Sequence, residues 1–211
     1  PGLVLPAELE TRAQLWFEEF GAFDKGFDPL LWSLGPPPAT LDGTARTGVG
    51  GALFPYSAGV YGSGNNMAFR ASWLRSHPFD EALGAGSLTR GGEDLDAFLS
   101  VVLAGHVLVY EPRALVWHHA RREPDSLQTQ MYGYGSGLSA VMTKHLMASP
   151  RAAVDVLRRV PAGLWKLLHP SSEKNSNRSA AYPSVLRRAE LRGFAAGPVL
   201  LVRSRREARR R

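Results

Sequence analysis

The chain has 211 residues, 44% of them hydrophobic, and a formal net charge of +6. A chain of this size can bury one substantial core and carry an appendage. The absence of cysteine excludes disulfides, thiol catalysis and Cys-ligated zinc, and fits a reducing compartment. No run of about 18 uninterrupted apolar residues occurs, so the sequence predicts no transmembrane helix. Because residues 1–6 contain neither a signal-peptide pattern nor an initiator Met, we expect the chain to be part of a longer protein.

The first third of the sequence predicts two helices, a long loop and a short strand. Apolar spacing favours a helix over residues 8–20, and residues 21–51, rich in glycine and proline, are expected to form a surface loop. A loop of that length is usually either functional or mobile. Residues 67–69 have the composition of a short strand, and residues 71–76 that of a short helix ended by Pro78.

The most informative stretch is residues 91–96, Gly-Gly-Glu-Asp-Leu-Asp, where three carboxylates follow two glycines. An apolar stripe at helical spacing predicts one buried helix face, formed by Leu95, Phe98, Leu99, Val102 and Leu103. Gly105 has the position of the residue just past the helix end. Asp94 lies near the helix N-terminus, where free N–H groups and the helix dipole favour an ionised carboxylate. The alternative is an acidic cap on an ordinary helix.

Beyond this helix the patterns predict two β-prone runs and then mainly helix. The runs cover residues 107–110 and 114–117, and Glu111-Pro112-Arg113 separates them. The remaining predicted elements are helices over residues 127–147 and 152–168, the second kinked at Pro161, and a polar loop over residues 171–179.

The positive charge is concentrated at the C-terminal end. Residues 187–211 hold nine arginines and two glutamates, a net charge of +7, so the rest of the chain sums to −1. Tails of this kind bind polyanions, either nucleic acid or an anionic membrane surface; the alternative is a solvated, disordered end. Residues 182–202 mix apolar side chains with arginines, which favours an interfacial helix on an anionic membrane.

Several motifs occur in a fixed order in the middle of the chain. They are Gly64-Asn65-Asn66-Met67-Ala68-Phe69-Arg70, Phe79-Asp80-Glu81-Ala82-Leu83-Gly84, Gly92-Glu93-Asp94-Leu95-Asp96, Ala104-Gly105-His106, Tyr110-Glu111-Pro112 and Val116-Trp117-His118-His119. Each motif alone is weak. The ordered set resembles the C-terminal half of the catalytic domain of family 2 glycosyltransferases, which are inverting enzymes with a GT-A fold. The resemblance covers roughly residues 50–145.

The resemblance implies an α/β fold of the GT-A type, a Rossmann-like fold of nucleotide-diphospho-sugar transferases. The N-terminal half of that fold carries a nucleotide-binding strand and an Asp-x-Asp-like metal motif, and nothing before Gly50 matches these; Asp24 and Asp28 lack a preceding apolar strand. We therefore expect residues 1–149 to form the C-terminal part of the domain, with the acceptor site and catalytic base. Residues 150–211 would be a helical, basic extension. We expect this chain to be inactive by itself.

In the family the general base is the Asp of the Glu-Asp motif, which is Asp94 here. It would take the proton from the acceptor hydroxyl as this attacks the anomeric carbon, and such a base contributes about 10²–10⁴-fold. Glu93 would orient the base or contact the sugar. Gly92 would let the backbone approach the sugar closely. Asp96 is assigned a structural role.

The motif Gly64-Asn65-Asn66 would line the floor of the active site. Missing side chains would admit the sugar there, and the amide of Asn66, more than that of Asn65, would bind its hydroxyls. The alternative is a plain turn, because Gly and Asn are common turn formers.

The resemblance also implies a nucleotide-diphosphate sugar as donor and a divalent cation, Mg²⁺ or Mn²⁺, that neutralises the leaving diphosphate. His118 is the candidate ligand of this cation or contact of the diphosphate; the alternative is an ordinary hydrogen-bonded histidine. His119, next along a β-like segment, is expected to face the opposite way.

The expected role is in cell-envelope, polysaccharide or glycolipid biosynthesis. The Gln-x-x-Arg-Trp signature of processive synthases is absent, which favours the addition of one or few sugars to a glycan or lipid-linked acceptor. We expect a cytoplasmic enzyme, held peripherally at the inner face of the plasma membrane by the basic tail. His77-Pro78 replaces the glycine common before Phe79-Asp80, so the conformation of that turn is left open.

Two other classes of function remain open. The first is a non-enzymatic module that binds nucleic acid or membrane through its basic tail. Nucleic acid is disfavoured because the arginines lack interleaved aromatic residues and the body is not basic. The second is a metal-dependent hydrolase built on Glu93, Asp94, His118 and His119, which the absence of a His-x-x-x-His spacing disfavours.

Overall fold

The computed structural model describes residues 1–21, 23, 25–36 and 51–210. Much of the loop predicted over residues 21–51, with Asp24, lies outside the described residues. The helices and strands are, in chain order, β1 (Gly2–Pro6), α1 (Arg12–Glu19), β2 (Leu30–Trp32), α2 (Ala71–Ser76), α3 (Glu93–Leu103), β3 (Leu108–His118), α4 (Pro124–Leu146), α5 (Pro150–Leu168), α6 (Glu173–Ser176) and α7 (Ser184–Ala208). Short 3₁₀ turns cover Gly51–Leu53, Ala58–Val60 and Gly64–Asn66.

This combination of helices with a small mixed sheet confirms the predicted α/β class. The predicted helices are found as α1 to α5, with bounds shifted by a few residues. Three predictions were wrong. Residues 67–69 form no strand, the expected loop contains β2, and the polar segment at 171–179 contains the short helix α6. Strand β1 was not predicted at all.

The two predicted β-prone runs are one strand, β3, at the centre of a three-stranded sheet of order β1-β3-β2. Strand β2 pairs antiparallel with residues Leu108–Tyr110 of β3, and β1 pairs parallel with Glu111 and, after a register shift, with Leu115 to His118. Pro112, which has no N–H to donate, lies between Glu111 and Leu115, the residues that pair with β1 on either side of the register shift. The proline therefore interrupts pairing locally without ending the strand.

The chain divides into two compact units. The first comprises Pro1–Ala7, Phe23–Pro78 and Asp94–His118, and the second the segments 8–22, 79–93 and 119–211. The division predicted at residues 149/150 stays a prediction. One of the boundaries between the units falls within α3, after its first residue, Glu93.

The core of the first unit is formed by side chains of the sheet, of α3 and of the segment before α2. Its fully buried side chains include Tyr61, Phe98, Leu99, Val102 and Tyr110. The ring of Phe98 stacks on Phe69 with the centroids 5.9 Å apart. The predicted stripe on α3 is confirmed for Phe98, Leu99 and Val102, which are completely buried, whereas Leu95 and Leu103 are half-buried.

The second unit is built on the close packing of α4 with α7. A Cβ added at Gly135 on α4 would lie 2.0 Å from the carbonyl oxygen of Glu190, and one added at Gly193 on α7 would lie 2.0 Å from that of Tyr132. Because the glycines leave room, the two backbones come into direct contact. At the other side of α4, Tyr134 packs against Phe17 of α1, with centroids 6.3 Å apart.

Residues 187–208 of the basic segment belong to α7, so the alternative of a disordered end does not hold for them. Some of its arginines make contacts inside the second unit. Arg187 donates to the carbonyl oxygen of Leu168 at 2.7 Å, and Arg205 lies 3.7 Å from the carboxylate of Asp80. Within the described ranges, no helix is long and apolar enough to cross a membrane.

Candidate functional site

Helix α3 has well-defined ends, which fix the residues around Asp94. Before it, Gly92 has a φ of +100°, a conformation that favours glycine. At its C-terminal end, Gly105 (φ +81°) donates to the carbonyl oxygen of Val102, and His106 donates to that of Val101. These two bonds are the Schellman motif. The prediction that the helix ends just before Gly105 is confirmed.

Asp94, in the first turn of α3, has both carboxylate oxygens oriented by backbone N–H groups of the first unit. Oδ2 accepts from the N–H of Gly64 at 2.8 Å, and Oδ1 accepts from the N–H of Leu95 at 2.8 Å. The side chain is half-buried. A Cβ at Gly64 would lie 3.1 Å from the Cβ of Asp94, so the absence of a side chain lets this turn approach the carboxylate. The structure thus brings Asp94 and Gly64 together.

The turn that holds Asp94 is attached to the sheet by Asn66. Its Nδ2 donates to the carbonyl oxygens of Leu3 on β1, at 2.9 Å, and Ala114 on β3, at 2.6 Å. Both donors of this amide are therefore used by the main chain, which leaves Oδ1 for any ligand. Asn65 is exposed, and its Oδ1 accepts from the hydroxyl of Ser63. The role in sugar binding expected for both asparagines stays a prediction.

The bonds of Asn66 lead to a stability prediction. Asn66→Asp keeps the side-chain shape but places a carboxylate against two carbonyl oxygens, so we expect the free energy of unfolding to fall by about 1–3 kcal/mol. The measurement is denaturant unfolding followed by circular dichroism. Asn65→Asp is the matched control: it is exposed, keeps its acceptor, and should change stability by less than about 0.5 kcal/mol. Equal effects of the two changes would argue against the anchoring role of Asn66.

Glu93 and Gly92 belong to the second unit, where the glycine turn packs on α4. A Cβ at Gly92 would lie 2.8 Å from the carbonyl oxygen of Gly137, and one at Gly137 would lie 2.6 Å from the carbonyl carbon of Gly91. This close approach of two backbones is enough to explain the glycines at positions 91 and 92, and no bound ligand is needed to explain them. The half-buried Glu93 side chain lies against Gly84, whose added Cβ would be 3.3 Å from Glu93 Cδ. The expected contact of Gly92 with a sugar stays a prediction.

The segment before this turn is also anchored within the second unit. Asp80 accepts from Lys144 Nζ at 2.9 Å and from the N–H of Ala82 at 3.0 Å. Burial opposes ionisation of Asp80, but the hydrogen bonds from Lys144 and Ala82 and the charges of Lys144 and Arg205 outweigh it, so the pKa is lowered from its usual value. Asp80 therefore attaches residues 79–84 to α4 and α7. These contacts explain the carboxylate at this position by structure alone.

His118 and His119 have different surroundings. His118 is half-buried at the end of β3, where its ring meets that of Phe23 edge to face with centroids 5.0 Å apart. Its carbonyl oxygen accepts from the N–H of Ala7 at 2.9 Å. In the second unit, His119 is exposed and its Nδ1 lies 3.9 Å from Glu8 Oε1. Hydrogen bonds from Gln14 and Arg122, more than the charges of Arg122 and His119, lower the pKa of Glu8.

The expected divalent cation was tested against the donor set. Within residues 1–21, 23, 25–36 and 51–210, no three His, Asp or Glu side chains lie together as ligands for a metal ion. Protein metal sites for Mg²⁺ draw on one or two carboxylates and the substrate phosphates, with water completing the shell. The divalent cation and the role of His118 therefore stay predictions, and no chemical step is assigned to a metal ion.

The second unit contains a groove of about 550 Å³ that the sequence analysis missed. It is lined by residues from three segments, among them Ser87, Arg90, Thr129, Tyr132 and Arg192. Arg90 has a φ of +60°, which is unusual for a residue other than glycine, and its guanidinium lies 5.7 Å from the centre of the Tyr132 ring. No local pattern signals a groove whose residues lie up to about a hundred positions apart.

The chain was compared with protein-family models, with curated proteins and with solved structures, and none of the three comparisons finds a match. The α/β class therefore rests on the fold itself, and the chemistry of the candidate site on its residues.

Proposed function

We propose that this chain is the acceptor and catalytic-base part of an inverting glycosyltransferase, with Asp94 as the general base. The observation that carries the proposal is the orientation of the Asp94 carboxylate by the N–H groups of Gly64 and Leu95, both at 2.8 Å. A base acts efficiently only when it is held within hydrogen-bond reach of the proton it removes. Two backbone donors hold this carboxylate while it remains half-exposed.

The proposed reaction is a single displacement. The acceptor hydroxyl oxygen forms a bond to the anomeric carbon, the bond from that carbon to the diphosphate oxygen breaks, and the hydroxyl proton passes to Asp94. An ionised carboxylate has about four acceptor positions on its two oxygens. Because the backbone N–H groups occupy two of them, acceptor capacity remains for the incoming hydroxyl.

The roles of the other residues follow from their contacts. Gly64 keeps the turn close to the base, and Asn66 holds that turn on β1 and β3, so both would act by positioning. Glu93, next to Asp94 in the chain, would orient the base or contact the sugar. The donor would be a nucleotide-diphosphate sugar, bound by the other half of the GT-A fold, which we expect outside these 211 residues. The acceptor would be a glycan or lipid-linked sugar of the cell envelope, used at the inner face of the plasma membrane.

The proposal is tested by the stereochemistry of the product. The protein expressed from the complete reading frame is screened with nucleotide sugars and simple glycoside acceptors, and the product is followed by proton NMR. We expect an α-linked donor to give a β-linked product, because a single displacement inverts the anomeric carbon. A retained configuration, or the absence of transfer from every common nucleotide sugar, would contradict the proposal.

A further inference from the structure

Helix α5 exposes a continuous apolar face. Six large apolar side chains of this helix are each 41–56% exposed, namely Val154, Leu157, Val160, Leu164, Trp165 and Leu168. At 100° per residue they fall within an arc of about 140° on one side of the helix. Scattered exposed apolar residues are normal, but a contiguous face of this kind marks an interaction surface.

The buried apolar residues of α5 lie at one edge of the exposed face, beside Val160. Val156 and Leu167 are buried there, at 7% and 9% exposure. On the helical projection Val156 and Leu167 precede Val160 by about 40° and 20°. Packing within the second unit therefore covers only this edge, and the six exposed side chains remain in contact with solvent.

Positive charge borders this face. On the helical projection the exposed Arg158 and Arg151 follow Trp165 by about 20° and 40°. The acidic residue of the helix, Asp155, is paired with Arg159 in the next turn. The ring of Trp165 stacks on His169, with centroids 5.2 Å apart, at the end of the helix. An apolar face with a tryptophan and flanking arginines is the composition of helices that lie in the surface of an anionic bilayer.

We propose that α5 docks the protein on anionic lipid membranes, lying in the plane of the interface with its apolar face in the acyl boundary. The charge complementarity between the flanking arginines and anionic headgroups favours this occupant over a second copy of the chain, whose identical face would bring the same arginines together. Helix α5, and not the basic tail, would then make the membrane contact, whether or not the chain takes part in glycosyl transfer.

Helix α7 is the weaker candidate for this role. Its glycine-lined side is buried against α4, and two of its arginines make contacts inside the unit. Its exposed apolar residues, Val185, Val199 and Val202, are spread over the length of the helix. An interfacial helix needs enough contiguous apolar area to bury, which α5 has.

The test is sedimentation of the 211-residue chain with vesicles, in the absence of any donor sugar. We expect binding to vesicles of equal parts phosphatidylcholine and phosphatidylglycerol, and several-fold weaker binding to phosphatidylcholine alone. Leu157→Glu with Leu164→Glu should weaken binding more than about tenfold, because two apolar anchors are lost. Both side chains are exposed, so circular dichroism should show an unchanged fold.

Three further variants decide the assignment. Leu9→Glu with Leu15→Glu introduces the same charges at leucines that are each 47% exposed elsewhere, and should bind as the unmodified chain does. Arg151→Gln with Arg158→Gln keeps the apolar face and should weaken binding to the anionic vesicles about tenfold or more. The tail variant Arg203→Gln with Arg206→Gln should have the smaller effect.

Several outcomes would overturn the proposal. They are the absence of wild-type binding to anionic vesicles, unchanged binding of the Leu157→Glu/Leu164→Glu variant, and loss of binding only in the tail variant. A wild-type dimer in size-exclusion chromatography that the same α5 variant converts to a monomer would assign the face to a second copy instead. Transfer assays of Asp94 variants have no bearing on these results, so the two proposals can fail separately.

Discussion

Asp94→Asn is expected to lower the rate of sugar transfer by about 10²–10⁴-fold, the contribution of a positioned general base. The amide keeps the shape of the side chain but cannot take up the proton of the acceptor hydroxyl. The measurement is initial-rate transfer by the protein of the complete reading frame, with donor affinity determined separately. We expect the affinity for the nucleotide sugar to remain, because the proposal assigns Asp94 no part in donor binding.

The matched control separates this role from that of an acidic helix cap. Asp125 is also an acid in the first turn of a helix, α4, and is exposed. Asp125→Asn should leave transfer unchanged and cost no more than about 0.3–1 kcal/mol of stability. If Asp94→Asn also cost only that stability and transfer survived, Asp94 would be an ordinary helix-terminal residue and the assignment of the base would be wrong.

Gly64→Ala tests whether the turn at Gly64 positions the carboxylate of Asp94. The added methyl would lie 3.1 Å from Asp94 Cβ and 3.2 Å from its Oδ2. Contacts this short displace the carboxylate by a few tenths of an ångström, and catalysis is sensitive to misplacement on that scale. Transfer should therefore fall while the unfolding transition changes little.

Gly193→Ala is expected to lower the free energy of unfolding by about 1–3 kcal/mol, because the new methyl overlaps the backbone of α4. The sign is diagnostic, since replacing glycine by alanine inside an exposed helix normally stabilises by about 1 kcal/mol. At Gly193 the Cβ would lie 2.0 Å from the carbonyl oxygen of Tyr132 and 3.0 Å from the N–H nitrogen of Ser136. Relief requires the two helices to separate, with loss of their buried contacts.

The control for this change is Gly86→Ala, in the same unit, where an added Cβ would meet nothing within 4 Å. It should leave stability unchanged or raise it slightly, because alanine restricts the unfolded chain. Both variants are measured by urea denaturation followed by circular dichroism. A Gly193→Ala protein that is more stable than the unmodified chain would mean that α4 and α7 do not pack at this distance.

Local interactions explain which elements could be predicted. Helix α3 ends where expected because Gly105 and the carbonyls that it and His106 satisfy are all within five residues of one another. The strand β1 was missed because its five residues carry no alternating pattern and pair with a partner more than a hundred positions away. The sequence analysis separated two β-prone runs at Pro112, and strand pairing is indeed interrupted after Glu111. The two runs nevertheless form one strand, because β2 pairs with the first and β1 with the second.

The same distinction applies to the candidate site. The motif order pointed to Asp94, and Gly64 indeed donates to its carboxylate from 30 positions away. The amide of Asn66 donates to carbonyl oxygens of two strands, β1 and β3, which the sequence analysis did not predict. Local sequence does not reveal which distant carbonyl oxygens the fold brings next to a side chain.

By itself, the sequence determined the α/β class, most helices and the acidic turn at the start of α3, because periodicity, capping and turn chemistry act between near neighbours. Only the tertiary structure decided the function of the glycines. Those of α4, α7 and the turn at Gly91-Gly92 are needed where two backbones meet, and that need arises from partners distant in the chain. Likewise, only the neighbours of α5 decide which of its apolar residues are packed and which remain exposed.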